Sequence, residues 1–122
     1  GKALETSCND SIKRWMMNVI KVNTSTIGDN VVLPGIANRK IRVLAYMITS
    51  VAQNYVVWKS GSTAISGNVY MPAYGNIVIH MGDLWPAGGL PVLETAIGED
   101  LVISLNAATA IGGHLTYYYI GA

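Results

Sequence analysis

The stretch from Arg39 to Gly67, RKIRVLAYMITSVAQNYVVWKSGSTAISG, limits the possible folds more than any other part of the chain. Two apolar runs, residues 41–48 and 55–58, flank a polar link, residues 49–54. Both runs are rich in β-branched and aromatic side chains, which suit a pleated, half-buried surface. The link has no proline and is short enough for a hairpin or a sheet-to-sheet crossover. Beyond Trp58 the chain becomes small and polar, a loop punctuated by glycine. Strict alternation sends Ile41, Val43, Ala45 and Met47 to one side of the first strand. It sends Arg42, Leu44, Tyr46 and Ile48 to the other. Only Arg42 is polar in that second set. A strand oily on both faces needs cover on both, and a sister subunit is the expected source of part of it.

Further short strands are expected over residues 15–22, 31–33, 68–71, 76–81, 92–95, 101–106 and 114–120. Between them lie turn-rich loops, including 23–30, the irregular GDLWPAGGLP of 82–91, and 107–113. Strands recurring roughly every ten residues with glycine-bearing turns mark an all-β sandwich or barrel. About eight of them is the number of a jelly roll. The expected architecture is therefore an antiparallel jelly-roll β-sandwich over residues 15–122, preceded by a short N-terminal arm, residues 1–14. No βαβ alternation and no internal repeat is visible.

The arm, GKALETSCNDSIK, has no period-2 pattern. Ser7, Asn9, Asp10 or Ser11 offers an N-cap for a short helix running towards Trp15. Two readings stand: a frayed terminus, or an arm that orders on a neighbouring surface with Ile12, Trp15 and Met16 as its anchor. The closing strand, HLTYYYI, is also oily on both sides. Leu115, Tyr117 and Tyr119 share one face; Thr116, Tyr118 and Ile120 share the other. Either it lies between its own two sheets, or one face meets a sister copy. Low total charge favours the second reading and assigns Tyr46, Leu115, Tyr117 and Tyr119 to a subunit interface. An exposed strip holding two tyrosines and a leucine is an unusual patch for a lone domain.

The 122 residues suffice for one domain with a real core. Only 12% are charged and 51% are hydrophobic, about half the charged share of an ordinary soluble domain. The net charge of +1 is scattered, unlike the clustered cations of a nucleic-acid binder. No apolar run approaches membrane-spanning length, and no signal peptide is expected. The single cysteine, Cys8, precludes an internal disulfide and fits a reducing compartment.

Chemistry is sparse. His80 and His114 lie in different expected strands, with no HxxxH or CxxC spacing to build a zinc site. The serines around Gly61 and Gly67 give only fragments of a nucleophile elbow. Glu94, Glu99, Asp100 and Asp83 are the carboxylates available for paired acid–base work, and Glu99–Asp100 is expected in a turn. Asp29 and Asp83 supply too few oxygens for a dedicated calcium site. The expectation is no catalytic residue, no metal, no cofactor and no enzymatic activity. Trp58 is expected in the core. Trp85 beside Pro86, with Asp83 and Tyr74, forms a candidate ligand loop, as a glycan-stacking platform, an interface anchor or a plug at one end of the sandwich.

Taken together, KIRVLAYMI, VVWKSGSTAISG, ETAIGEDLVISLNAA and the closing GGHLTYYYI, from Val31 to Ile120, resemble a small β-domain of tailed-bacteriophage virion proteins. The resemblance implies a jelly roll, usually a homotrimer, serving as a capsid decoration (cement) protein, head fibre or tail-tip module. The leading expectation is a structural virion protein that binds the major capsid protein on the outer capsid surface and stabilises the head, after assembly in the host cytoplasm. The alternative is a receptor- or carbohydrate-binding tip module that meets a host-surface glycan. Neither reading involves nucleic acid or membrane.

Overall fold

The computed structural model describes residues 17–80 and 91–121. The proposed arm anchors Ile12, Trp15 and Met16, and the loop residues Asp83 and Trp85, lie outside the described residues. Ten strands form: β1 (Asn18–Thr24), β2 (Gly28–Leu33), β3 (Arg39–Ser50), β4 (Asn54–Ser60), β5 (Thr63–Ala64), β6 (Val69–Met71), β7 (Gly75–His80), β8 (Leu93–Glu94), β9 (Leu101–Leu105) and β10 (Ile111–Gly121). There is no helix among the described residues. The first sheet runs β1-β10-β3-β7, with β8 also on β3; the second runs β2-β9-β4-β5, with β6 also on β4. All the pairings are antiparallel. The two sheets pack face to face as an all-β sandwich.

The pairings nest. β1 pairs β10, β2 pairs β9, β3 pairs β7 and β4 pairs β6. The chain is one long hairpin doubled back on itself, and the β10–β3 and β9–β4 ladders close it into two layers. Two strands reach beyond their expected bounds. Gly28 to Asn30 were expected in a loop but pair with β9, and β10 already begins at Ile111. Gly113 shows why glycine sits inside β10. Its φ is +136°, and a Cβ there would run into the Met47 carbonyl oxygen.

The register corrects the expectation of a doubly oily β3. Thr116 pairs with Ala45 but Tyr117 pairs with Val43, so Leu44 is an extra residue, a β-bulge. The bulge also marks where β3 changes its other neighbour, from β7 (Ala45 onward) to β8 (Arg42 and Val43). One inserted residue resets the alternation. Ile41 and Val43 face inward on one side of it, and Tyr46, Ile48 and Ser50 on the other; all five are buried. The outward set becomes Lys40, Arg42, Ala45, Met47 and Thr49, which water tolerates far better. Leu44 itself is buried but stands outside the core cluster.

The core lies between the layers. The first sheet contributes Val22, Ile41, Val43, Tyr46, Ile48, Leu93, Ile111 and Leu115; the second contributes Leu33, Val56, Trp58, Met71, Leu101, Ile103 and Leu105. Trp58 is fully buried, as expected from the sequence. Its ring meets that of Tyr46 across the layers, centroids 5.1 Å apart and planes tilted by 57°. Burial pushes the Tyr46 hydroxyl up in pKa, and its approach to Trp58 only partly offsets this. That approach falls short of hydrogen-bond geometry, so Trp58 Nε1 is left buried without a partner.

Candidate functional site

The proposed interface residues divide against expectation. Leu115 and Tyr46 sit in the chain's own core, at 0% and 7% exposure, and have no surface to give a sister copy. Tyr117 and Tyr119 are on the same inward face, half-buried and packed against that core. Their rings meet edge-on with centroids 5.8 Å apart. The Tyr119 hydroxyl donates to the Pro34 carbonyl at 2.7 Å, closing the end of the sandwich with the chain's own β2–β3 connection. Burial, and then the neighbouring Tyr117 and Asp100, hold its pKa above the ordinary tyrosine value. The tyrosine-bearing side of β10 thus packs largely against the chain's own core and its β2–β3 connection, with part of Tyr117 and Tyr119 still open to solvent.

The outer face of the first sheet is polar around Glu94, and elsewhere it displays Val19 and Val78, 65% and 57% exposed. Arg42 Nε donates to Glu94 Oε2 at 2.5 Å, Lys40 Nζ to Oε1 at 3.3 Å, and Arg42 Nη1 to the Tyr118 hydroxyl at 3.2 Å. Burial by itself pushes the Glu94 carboxyl up. The hydrogen bonds from Arg42 and Lys40, with their charges, outweigh it and leave the carboxyl below its ordinary value. Farther along this face His114 stands opposite Met47 and His80 opposite Ala45, diagonally across β3. Between them is a shallow depression of about 100 Å³ lined by no carboxylate. The two histidines do share a face, but no acid–base pair forms there. Among the described residues no group of three or more His, Cys, Asp or Glu is placed to hold a metal ion.

The outer face of the second sheet mixes apolar and polar side chains. Val31, Val102 and Lys59 lie in one register row, and Asp29, Ser104 and Val57 in the next. Val31 is 61% exposed. The one ion pair on these rows is Lys59 Nζ to Asp29 Oδ1 at 3.0 Å. The Lys59 bond, then one from Ser104, hold the Asp29 carboxyl below its ordinary value. Beyond these rows Tyr55 and Tyr70 pair on the same face. Sequence reasoning did not single out either tyrosine, because only the β4–β6 register brings them together.

Comparison with protein-family models finds no match, and comparisons with curated proteins and with solved structures find none either.

Proposed function

We propose that this chain is a structural virion protein, a jelly-roll domain that decorates the outer capsid surface as a homotrimer and stabilises the head, with no enzymatic role. The observation that carries the reading is the nested strand order, β1-β10-β3-β7 over β2-β9-β4-β6. A jelly roll, the architecture of many viral capsid and lectin domains, is a doubled hairpin rolled into two four-stranded layers; the nested order supports that reading, with one further short strand on each sheet. Fold alone does not assign function. The sequence resemblance over residues 31–120 and the 12% charged content support the virion assignment.

The sister copy would sit on the outer face of the second sheet, around Val31 and Val57. Cyclic closure would hide that face in each subunit. Apolar area buried there, at about 25 cal/mol per Å², would outweigh the single exposed Asp29–Lys59 pair. Sedimentation of the purified chain tests this. A species of three times the 13.0 kDa monomer mass is expected, shifting to monomer in Val31→Lys. Only a 13.0 kDa species in the unmodified chain would overturn the trimer. Failure of the trimer to bind undecorated heads of its own virion would overturn the decoration role.

A further inference from the structure

At one end of the second sheet lies an open groove of about 750 Å³, within the roughly 300–1,000 Å³ common for small-ligand sites. It is built from the start of β4, from β6 and the turn after it, and from Asn106 just past β9. Tyr55 and Tyr70 are cross-strand partners, so their rings stand together, centroids 5.3 Å apart and planes tilted by 54°. Tyr70 is 67% exposed. Its hydroxyl is oriented by a bond from Asn68 Nδ2 at 3.1 Å. The side-chain amides of Gln53 and Asn106 also line the groove, and neither bonds to a described residue. Asn106 is held in place by its backbone, whose N–H donates to the Tyr55 carbonyl at 3.1 Å. No Asp, Glu, Lys, Arg or His is in the lining.

A second observation points to the same place. Pro72, at the groove wall, opens a turn closed by the Gly75 N–H on its carbonyl at 2.9 Å. Tyr74 takes the third position with φ of 58°, where glycine or asparagine is the residue that fits. It is 86% exposed. The turn thus displays a bulky aromatic side chain to solvent beside the groove, outside its lining.

We propose that this groove binds a neutral oligosaccharide. The faces of Tyr55 and Tyr70 suit the C–H face of a pyranose ring, which is apolar on that side. Each primary amide carries two donors and an acceptor, a match for adjacent sugar hydroxyls, which both give and accept. A charged sugar would find no counter-charge among the lining residues. Aromatic grooves also take proline-rich peptides. Such a segment brings mainly carbonyl acceptors, so the amide oxygens of Gln53 and Asn106 would go unmet. The proposal stands whether or not the chain trimerises, since it uses the end of the sheet and not the Val31 row.

The test uses the full chain and three probes: hexasaccharides of β-1,4-glucose, α-1,4-glucose and β-1,4-N-acetylglucosamine, each titrated to about 10 mM, the weak end of useful affinity. Backbone amide shifts are followed by two-dimensional NMR, with a decaproline peptide as a fourth arm. At least one hexasaccharide is expected to shift Gln53, Tyr55, Tyr70 and Asn106 saturably. Tyr70→Ala should weaken that binding roughly ten-fold or more. Asn106→Ala should weaken it several-fold without moving the melting temperature, since that side chain supports nothing in the fold. Shifts from no saccharide, shifts equal in wild type and Tyr70→Ala, or shifts from decaproline alone would each overturn the proposal.

Discussion

Tyr74 sits in the left-handed region at φ of 58°, in the third position of the Pro72–Gly75 turn. L-residues with a Cβ lose about 1–2 kcal/mol in that conformation, and glycine does not. Tyr74→Gly should therefore make the domain more stable by up to about 1 kcal/mol in urea denaturation, the relieved strain being partly offset by the greater freedom of glycine in the unfolded chain. Glu94 gives the second prediction at this scale. Its folded pKa is lower than its unfolded one, so its bonds to Arg42 and Lys40 add stability above the ordinary value of 4.5. That stability is lost as pH falls through the folded value. The carboxylate is partly solvated, so the loss should be no more than about 1 kcal/mol. Denaturation midpoints from pH 7 to pH 3 should fall less steeply in Glu94→Gln than in the parent chain. Parallel curves would show that the cluster contributes nothing.

β3 is the element on which sequence and structure part company. Most of the strands are legible in the sequence because period-2 alternation and glycine turns leave a mark: residues 55–58, 69–71, 76–80 and 101–105 fall on strands where strands were expected. The bulge at Leu44 leaves none. One extra apolar residue inside an apolar run changes no composition, yet it moves every later side chain to the other face. Read without it, Tyr46 and Ile48 look outward and call for a partner; read with it, they are core. The Leu115–Tyr117–Tyr119 face was legible from β10's own alternation; which surface covers it was not, because overall charge says nothing about which layer packs there. Tyr55 and Tyr70 were invisible as a pair because their meeting depends on the β4–β6 register. The bulge makes a discriminating prediction. Deleting Leu44 removes a side chain worth about 1.5–3 kcal/mol of burial but leaves Val43 and Tyr46 facing inward. That variant should still unfold cooperatively by circular dichroism. Deleting Met47 reverses Ile48 and Ser50, or everything before them, and should abolish the cooperative transition.

For the molecule as a whole, the two outer faces differ in their charged groups. The first sheet presents Lys40, Arg42, Glu94, His80 and His114 to water, with the exposed Val19 and Val78 among them. The second presents valines, tyrosines and one ion pair. A trimer built through the second sheet would leave the Glu94 cluster and both histidines outermost, and Val31→Lys is the substitution that separates this arrangement from one built elsewhere. The nested pairing also fixes when the first layer can exist. β10 stands between β1 and β3, so the strand made last among those described is the middle of its sheet. Until it leaves the ribosome, β1 has no hydrogen-bonded neighbour, and the half-made chain holds open strand edges that invite mispairing. Such long-range closure, on the order of milliseconds to seconds, cannot begin for the first layer until β10 has been made.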